Sequence, residues 1–259
     1  MTFLVFDSGI GGLGVVAEIR RAAPQVGMDY LADDGFFPYG EKGDDVLVRR
    51  IVEVVGAGIG LVRPAAVVVA CNTASTIALG ALRAAFDVPI VGCVPPVKPA
   101  AAASLTGHIG LLATPATIRR PYLQDLVERF AGGCEVHSVG TPVLAELAER
   151  KFWGEGVDSS ALEAAVAPLF AEGPEIDAVA LGCTHYTFLL PELTALWPDK
   201  QWFDPAGAVA RQAVRVAGGA GPGGGRFFVT GSGRHGARVG RRIEGYGFTA
   251  MERLGVPAA

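Results

Sequence analysis

Val67-Val68-Val69-Ala70-Cys71-Asn72-Thr73-Ala74 is an apolar, β-branched run that ends in a thiol and then in small amide and hydroxyl residues. A second run, Ala178-Val179-Ala180-Leu181-Gly182-Cys183-Thr184-His185-Tyr186, repeats the plan in the later half of the chain. Short apolar runs of this composition read as buried strands. A strand that delivers a thiol to its carboxyl end, with backbone N–H groups just beyond it, is a common way for an open α/β sheet to present a reactive group. Two such thiols, one in each half, point to a symmetric task. Taking a proton from one face of a carbon and returning one to the other face is a task of that kind.

Working outward from these runs, strand-like and helix-like segments alternate. Thr2–Phe6 reads as a strand, followed by the loop 7–12 and a helix through about Ala23. Met28–Ala32 reads as a second strand, 33–40 as a loop, Asp44–Arg63 as a helix and Ala66–Ala70 as a strand. A helix over Thr76–Phe86 and a strand over Pro89–Val94 complete the first half. His108–Thr114 opens a second series, with helices expected near Thr117–Phe130 and Ser159–Phe170. The glycine-rich run Gly218–Gly225 reads as a flexible connector to a last small strand, Arg226–Val229. Such alternation predicts an α/β fold with mainly parallel sheets covered by helices. A faint internal echo pairs 4–8 with 111–115, about as far apart as the two cysteine strands. The expected architecture is therefore two pseudo-symmetric domains, with the active site in the interdomain cleft.

Composition narrows the function classes. The chain has 259 residues, half of them apolar, enough for two domains of ordinary size with sizeable cores. No apolar stretch approaches the ~20 residues of a membrane span. The start, 1–7, has no basic region and does not read as a signal peptide. Four cysteines without C-x-x-C spacing argue against a disulfide framework or a zinc ribbon, so a reducing, cytoplasmic setting is expected. A net charge of −4 with no basic stripe makes nucleic acid an unexpected ligand. Four lysines, none in an obvious pyridoxal-phosphate setting, give a Schiff base little support. No cofactor and no metal site is expected: Cys183 and His185 form a C-x-H pair, but no further ligand pair with suitable spacing accompanies them.

Without a cofactor, deprotonating the α-carbon of an amino acid needs a desolvated base whose reference pKa can be tuned towards neutrality. A thiolate at ~8.5 fits that need. Asp7, Glu149 and His185 are the candidate tuners or proton carriers. The loop groups around Ser8, Gly40, Asn72, Thr73 and Thr184 can bind carboxylates through backbone N–H and side-chain donors. Bland readings stand beside these. Asp7 or Ser8 can cap the helix that follows, a role worth ~1 kcal/mol. Glu149 can be a solvated helix carboxylate and Tyr39 a loop aromatic. Cys93 and Cys134 read as inert small hydrophobes, and His108, His137 and His235 as ordinary surface or strand-end histidines.

In order along the chain, the stretches 6–12, 38–42, 70–75, 112–117 and 182–186, with 203–205 and 228–231 in the tail, closely resemble the cofactor-independent glutamate racemases of the aspartate/glutamate racemase superfamily. The resemblance covers nearly the whole chain. It implies a first domain of 1–95 plus 207–259 and a second of 96–206. It implies Cys71 and Cys183 as the catalytic pair, with Asp7, His185 and Glu149 assisting. Substrate contacts are implied at Asp7, Ser8, Tyr39, Gly40, Asn72, Thr73, Thr184 and His185. Glutamate is the expected substrate, with D-glutamate going to bacterial peptidoglycan, and a homodimer is the expected assembly. Racemisation of aspartate or a related acid is the alternative. The chain departs from the usual pattern at Pro95, Thr141, Thr187 and Arg120, none of which is a thiol position.

Overall fold

The computed structural model describes residues 2–172, 175–216, 221–231 and 238–256. Residues 218–220 of the expected connector, and His235, lie outside the described residues. The chain divides into two compact units, Met1–Cys93 with Ala206–Ala259, and Val94–Pro205.

In the first unit the order is β1 (Phe3–Asp7), α1 (Leu13–Ala22), β2 (Met28–Ala32), α2 (Asp44–Val62), β3 (Ala66–Val69), α3 (Asn72–Ala85) and β4 (Ile90–Gly92). The second unit carries α4 (Val97–Ala103), β5 (His108–Ala113), α5 (Pro115–Ile118), α6 (Pro121–Phe130), β6 (Glu135–Gly140), α7 (Val143–Phe152), α8 (Ser159–Glu172), β7 (Ala178–Leu181), α9 (Leu190–Leu196) and β8 (Gln201–Phe203). The chain then returns to the first unit with α10 (Ala206–Val216), β9 (Gly224–Val229), α11 (Arg238–Glu244) and β10 (Ala250–Arg253).

Each unit holds one sheet, in the orders β10-β9-β2-β1-β3-β4 and β6-β5-β7-β8. Every strand pairing among the described residues is parallel. Strands β1, β2, β3 and β7 are buried along their whole length, as parallel strands between helix layers must be. The run β2-β1-β3-β4 maps one for one onto β6-β5-β7-β8. This recurrence gives the internal echo a structural basis. In both units, the strand that leads to a thiol lies next to the first strand of its series.

Glycines allow the strand ends beside each thiol to approach closely. A Cβ on Gly12 would lie 2.9 Å from both Ala70 Cβ and the Tyr30 hydroxyl, and one on Gly182 would lie 2.9 Å from Ala113 Cβ.

Three expectations need correction. Arg226–Val229, expected as the last strand, is followed by β10, an exposed edge strand that pairs in parallel with β9. The helix expected to begin at Thr76 begins at Asn72, so Asn72 and Thr73 belong to its first turn rather than to a loop. Small polar residues are weak helix formers in the interior but favoured at helix starts, which is where these sit. The single helix expected over Thr117–Phe130 is two helices, α5 and α6. Pro121 cannot donate its backbone nitrogen and biases Arg120 away from helical geometry, so the chain restarts there. Strand β6 escaped the reading because it is a polar, half-exposed edge strand, and β8 because it is three residues long.

Candidate functional site

In the first unit, β1 ends in the buried Asp7, whose Oδ1 accepts a hydrogen bond from the Gly9 backbone N–H at 2.7 Å. Ser8 Oγ then lies 3.8 Å from Cys71 Sγ. Cys71 is the N-cap residue of α3, so the thiol stands at the partial positive end of that helix, where negative charge is favoured. Asn72 is 2 % exposed, and neither its amide nitrogen nor its oxygen has a hydrogen-bond partner among the described residues. A buried amide left unpaired costs about 1–3 kcal/mol per group. Ser75 stiffens the same turn, donating to the Val69 carbonyl at 3.1 Å and accepting from the Cys93 N–H at 2.8 Å.

The loop after β2 completes this half. Asp33 is fully buried and receives the Arg50 guanidinium on both carboxylate oxygens, at 3.0 and 2.7 Å. It also accepts hydroxyl hydrogen bonds from Tyr39 at 2.7 Å and Thr230 at 2.5 Å. Asp34 accepts the N–H groups of Thr230 and Gly231 at 3.0 and 2.8 Å, which ties the loop to the end of β9. Tyr39 and Gly40 belong to a short 3₁₀ turn held in this way.

Burial first, then the Asp33 charge and hydrogen bond, then the charges of Cys71 and Asp7, push the Tyr39 phenol well above its ordinary value of 10.0. Tyr39 is therefore a neutral hydrogen-bonding group at physiological pH. The same shift carries a stability consequence. The folded chain holds its phenolic proton where the unfolded chain releases it, so this contribution is full below pH 10 and is lost as pH rises above it. Urea unfolding across the alkaline range should show stability falling above pH 10, with a shallower fall in Tyr39→Phe. An equally steep fall in that variant would remove Tyr39 as a cause.

In the second unit, Cys183 ends the β7 run and precedes a 3₁₀ segment, Thr184–Leu189. Its Sγ lies 4.0 Å from His185 Nδ1. His185 Nε2 lies 3.0 Å from Glu149 Oε1, and Glu149 Oε2 accepts from Trp153 Nε1–H at 2.9 Å. A carboxylate only accepts, so the proton of the neutral ring sits on Nε2 and the Nδ1 lone pair faces the thiol. The series indole–carboxylate–imidazole–thiol therefore orients an imidazole that can take or return a proton at sulfur. Tyr186 donates to the Thr141 carbonyl at 2.8 Å, and burial, then the neighbouring Cys183 charge, push its phenol well above 10.0.

The sequence-predicted residues thus form one set in each unit: Asp7, Ser8, Tyr39, Gly40, Cys71, Asn72 and Thr73 in the first, Glu149, Cys183, Thr184 and His185 in the second. Glu149, which alone could pass for a solvated helix carboxylate, is bonded to His185. Asp33, Arg50 and Trp153 were missed as site supports. The doubled acid Asp33-Asp34 directly after a strand was the available signal for the first of them. Cys93 and Cys134 take backbone contacts instead: Cys93 donates its N–H to Ser75, and Cys134 Sγ lies 4.0 Å from the Ala101 carbonyl. Of the departures, Thr141 accepts from Tyr186 through its carbonyl, and the Thr187 hydroxyl is buried without a partner among the described residues.

Comparison with known proteins places this arrangement. A family described as Asp/Glu/Hydantoin racemase matches residues 45–213. The glutamate racemase of Granulibacter bethesdensis is 53 % identical over 215 residues, covering 83 % of this chain and 78 % of that protein. The chain belongs to this racemase family, in its glutamate racemase branch. The crystal structure of Escherichia coli glutamate racemase, in complex with L-glutamate and the activator UDP-MurNAc-Ala, is similar with a TM-score of 0.93 and 39 % identity, covering 99 % of each chain. Glutamate racemase isoform RacE1 of Bacillus anthracis is similar with a TM-score of 0.83 and 28 % identity, over 100 % of this chain and 98 % of that one. The structural neighbours share the fold of parallel sheets flanked by helices. No helix among the described residues is long and apolar enough to cross a membrane.

Proposed function

We propose that this racemase interconverts L- and D-glutamate without a cofactor, using Cys71 and Cys183 as an acid–base pair on opposite faces of the α-carbon. Cys183 as thiolate takes the α-proton of L-glutamate, and the electron pair left on carbon is delocalised into the adjacent carboxylate. Cys71 as thiol then gives its proton to the other face, which leaves Cys71 as thiolate and Cys183 as thiol. The reverse reaction exchanges the roles. The observation that carries this reading is the recurrence of a thiol at the same topological position in a four-strand run common to the two sheets.

Each thiol has its own polar neighbour, Ser8 for Cys71 and His185 for Cys183. Asp7 acts on the Cys71 side, and Glu149 positions His185. The unpaired Asn72 amide, with Ser8, Tyr39, Gly40, Thr73, Thr184 and His185, binds the carboxylates and amino group of the substrate. The product D-glutamate supplies peptidoglycan assembly in the cytoplasm, and the working form is a homodimer.

Circular dichroism of L-glutamate in D₂O, with dialysed enzyme and no added pyridoxal phosphate, should decay to zero with deuterium at the α-carbon. An L-aspartate control should hold its signal. Decay of aspartate with glutamate unchanged would move the substrate to the other amino acid.

A further inference from the structure

The two histidines read from the sequence as ordinary strand-end residues, His108 and His137, meet in the second unit. His108 opens β5 beside Glu135, and Glu135 and His137, two apart on edge strand β6, share one face. His108 Nδ1 lies 3.5 Å from His137 Nε2 and 3.7 Å from Glu135 Oε2, and His137 Nε2 lies 3.3 Å from Glu135 Oε1. A tetrahedral zinc ion with bonds of about 2.0–2.1 Å needs ligand atoms about 3.3–3.4 Å apart. The imidazole–imidazole distance and the His137–carboxylate distance are close to that spacing already; Glu135 faces the two rings with different oxygens, and one ligand atom from each residue keeps all three within 4.8 Å of one another.

We infer that His108, His137 and Glu135 form a zinc-type divalent cation site at the amino ends of β5 and β6. Two imidazoles and one carboxylate suit zinc, nickel or copper over magnesium or calcium, which prefer oxygen ligands. The three residues are the only described group of His, Cys, Asp and Glu whose ligand atoms converge in this way. Partial exposure leaves a way in and room for water as a fourth ligand: the side chains are 29 %, 65 % and 16 % exposed for His108, Glu135 and His137. Glu175 Oε2 lies 3.9 Å from the far nitrogen of His108, beyond hydrogen-bond distance but on the side from which a carboxylate could orient a ligating ring. The strands run away from this end towards the carboxyl-end motifs at Thr114 and Thr141, so the site is separate from the thiol chemistry. A bound ion clips the edge strand β6 to β5.

The test is calorimetric titration of zinc into the full chain carrying Cys71→Ser, Cys183→Ser and Cys134→Ser, which leaves only the buried Cys93 thiol. One equivalent should bind. His137→Gln and His108→Gln should each weaken it beyond the roughly 10–100-fold typical of an outer-shell change, and Glu175→Gln by about tenfold at most. Magnesium should not compete. Cobalt in place of zinc should give a tetrahedral absorption band without a sulfur charge-transfer band in the chain with all four cysteines. In that chain, His137→Gln should leave racemisation unchanged. Zinc affinity left unchanged by either histidine substitution, or no binding at millimolar zinc, would overturn the site.

Discussion

Cys71→Ser and Cys183→Ser should each lower the turnover of racemisation by about 10²–10⁴-fold, the range that a positioned acid or base contributes. The hydroxyl of serine is a far weaker acid than a thiol and is not ionised at neutral pH, so it cannot serve as the base. Each variant should fold, because both side chains are small and sit at strand ends. Polarimetry from each enantiomer, with far-ultraviolet dichroism as a folding control, checks the expectation. Near-normal turnover in either variant would remove that thiol from the chemistry. Alkylation should inactivate in parallel with labelling of Cys71 or Cys183, and glutamate should protect both. Inactivation that instead follows labelling of Cys93 or Cys134 would contradict the assignment.

Asp33→Asn is the second large effect, and it falls on stability. The substitution leaves the Arg50 guanidinium, 5 % exposed, without its bidentate partner, and it weakens the acceptor for the Tyr39 and Thr230 hydroxyls. Removing one member of a buried ion pair typically costs 3–5 kcal/mol, about 6–20 °C in Tm for a protein of this size. Replacing both partners with Asp33→Leu and Arg50→Met should cost less than the sum of the single changes, since no buried charge is then left unpaired. Thermal unfolding of the single and double variants decides this. A shift under about 2 °C for Asp33→Asn would show that the Asp33 cluster is not a support of the fold.

Much of the fold could be read because both thiols end buried parallel strands, whose near-continuous apolar runs are the strongest short-range signal such a sheet gives. The thiols, and the small polar residues just after them, were legible for the same reason. Glu149 was not legible from local pattern: it is one of several helix carboxylates, and only the fold brings it to His185, 36 positions away. Asp33, Arg50 and Thr230 escaped because their link spans a strand, a helix and a segment 197 positions away. The break at Pro121 was visible in the sequence but outweighed by helical periodicity on both sides. The meeting of His108 with His137 depends on the register of an edge strand that polar composition had concealed.

The central claim is that two thiols work on opposite faces of one carbon, and hydrogen–deuterium exchange in the single-serine variants tests it most directly. A variant with one remaining thiol can remove an α-proton and return a solvent deuteron to the same face, without inversion. Proton magnetic resonance of each glutamate enantiomer in D₂O should therefore show exchange of L-glutamate alone with Cys71→Ser, and of D-glutamate alone with Cys183→Ser. Exchange of both enantiomers by one variant, or of the same enantiomer by both, would contradict the account.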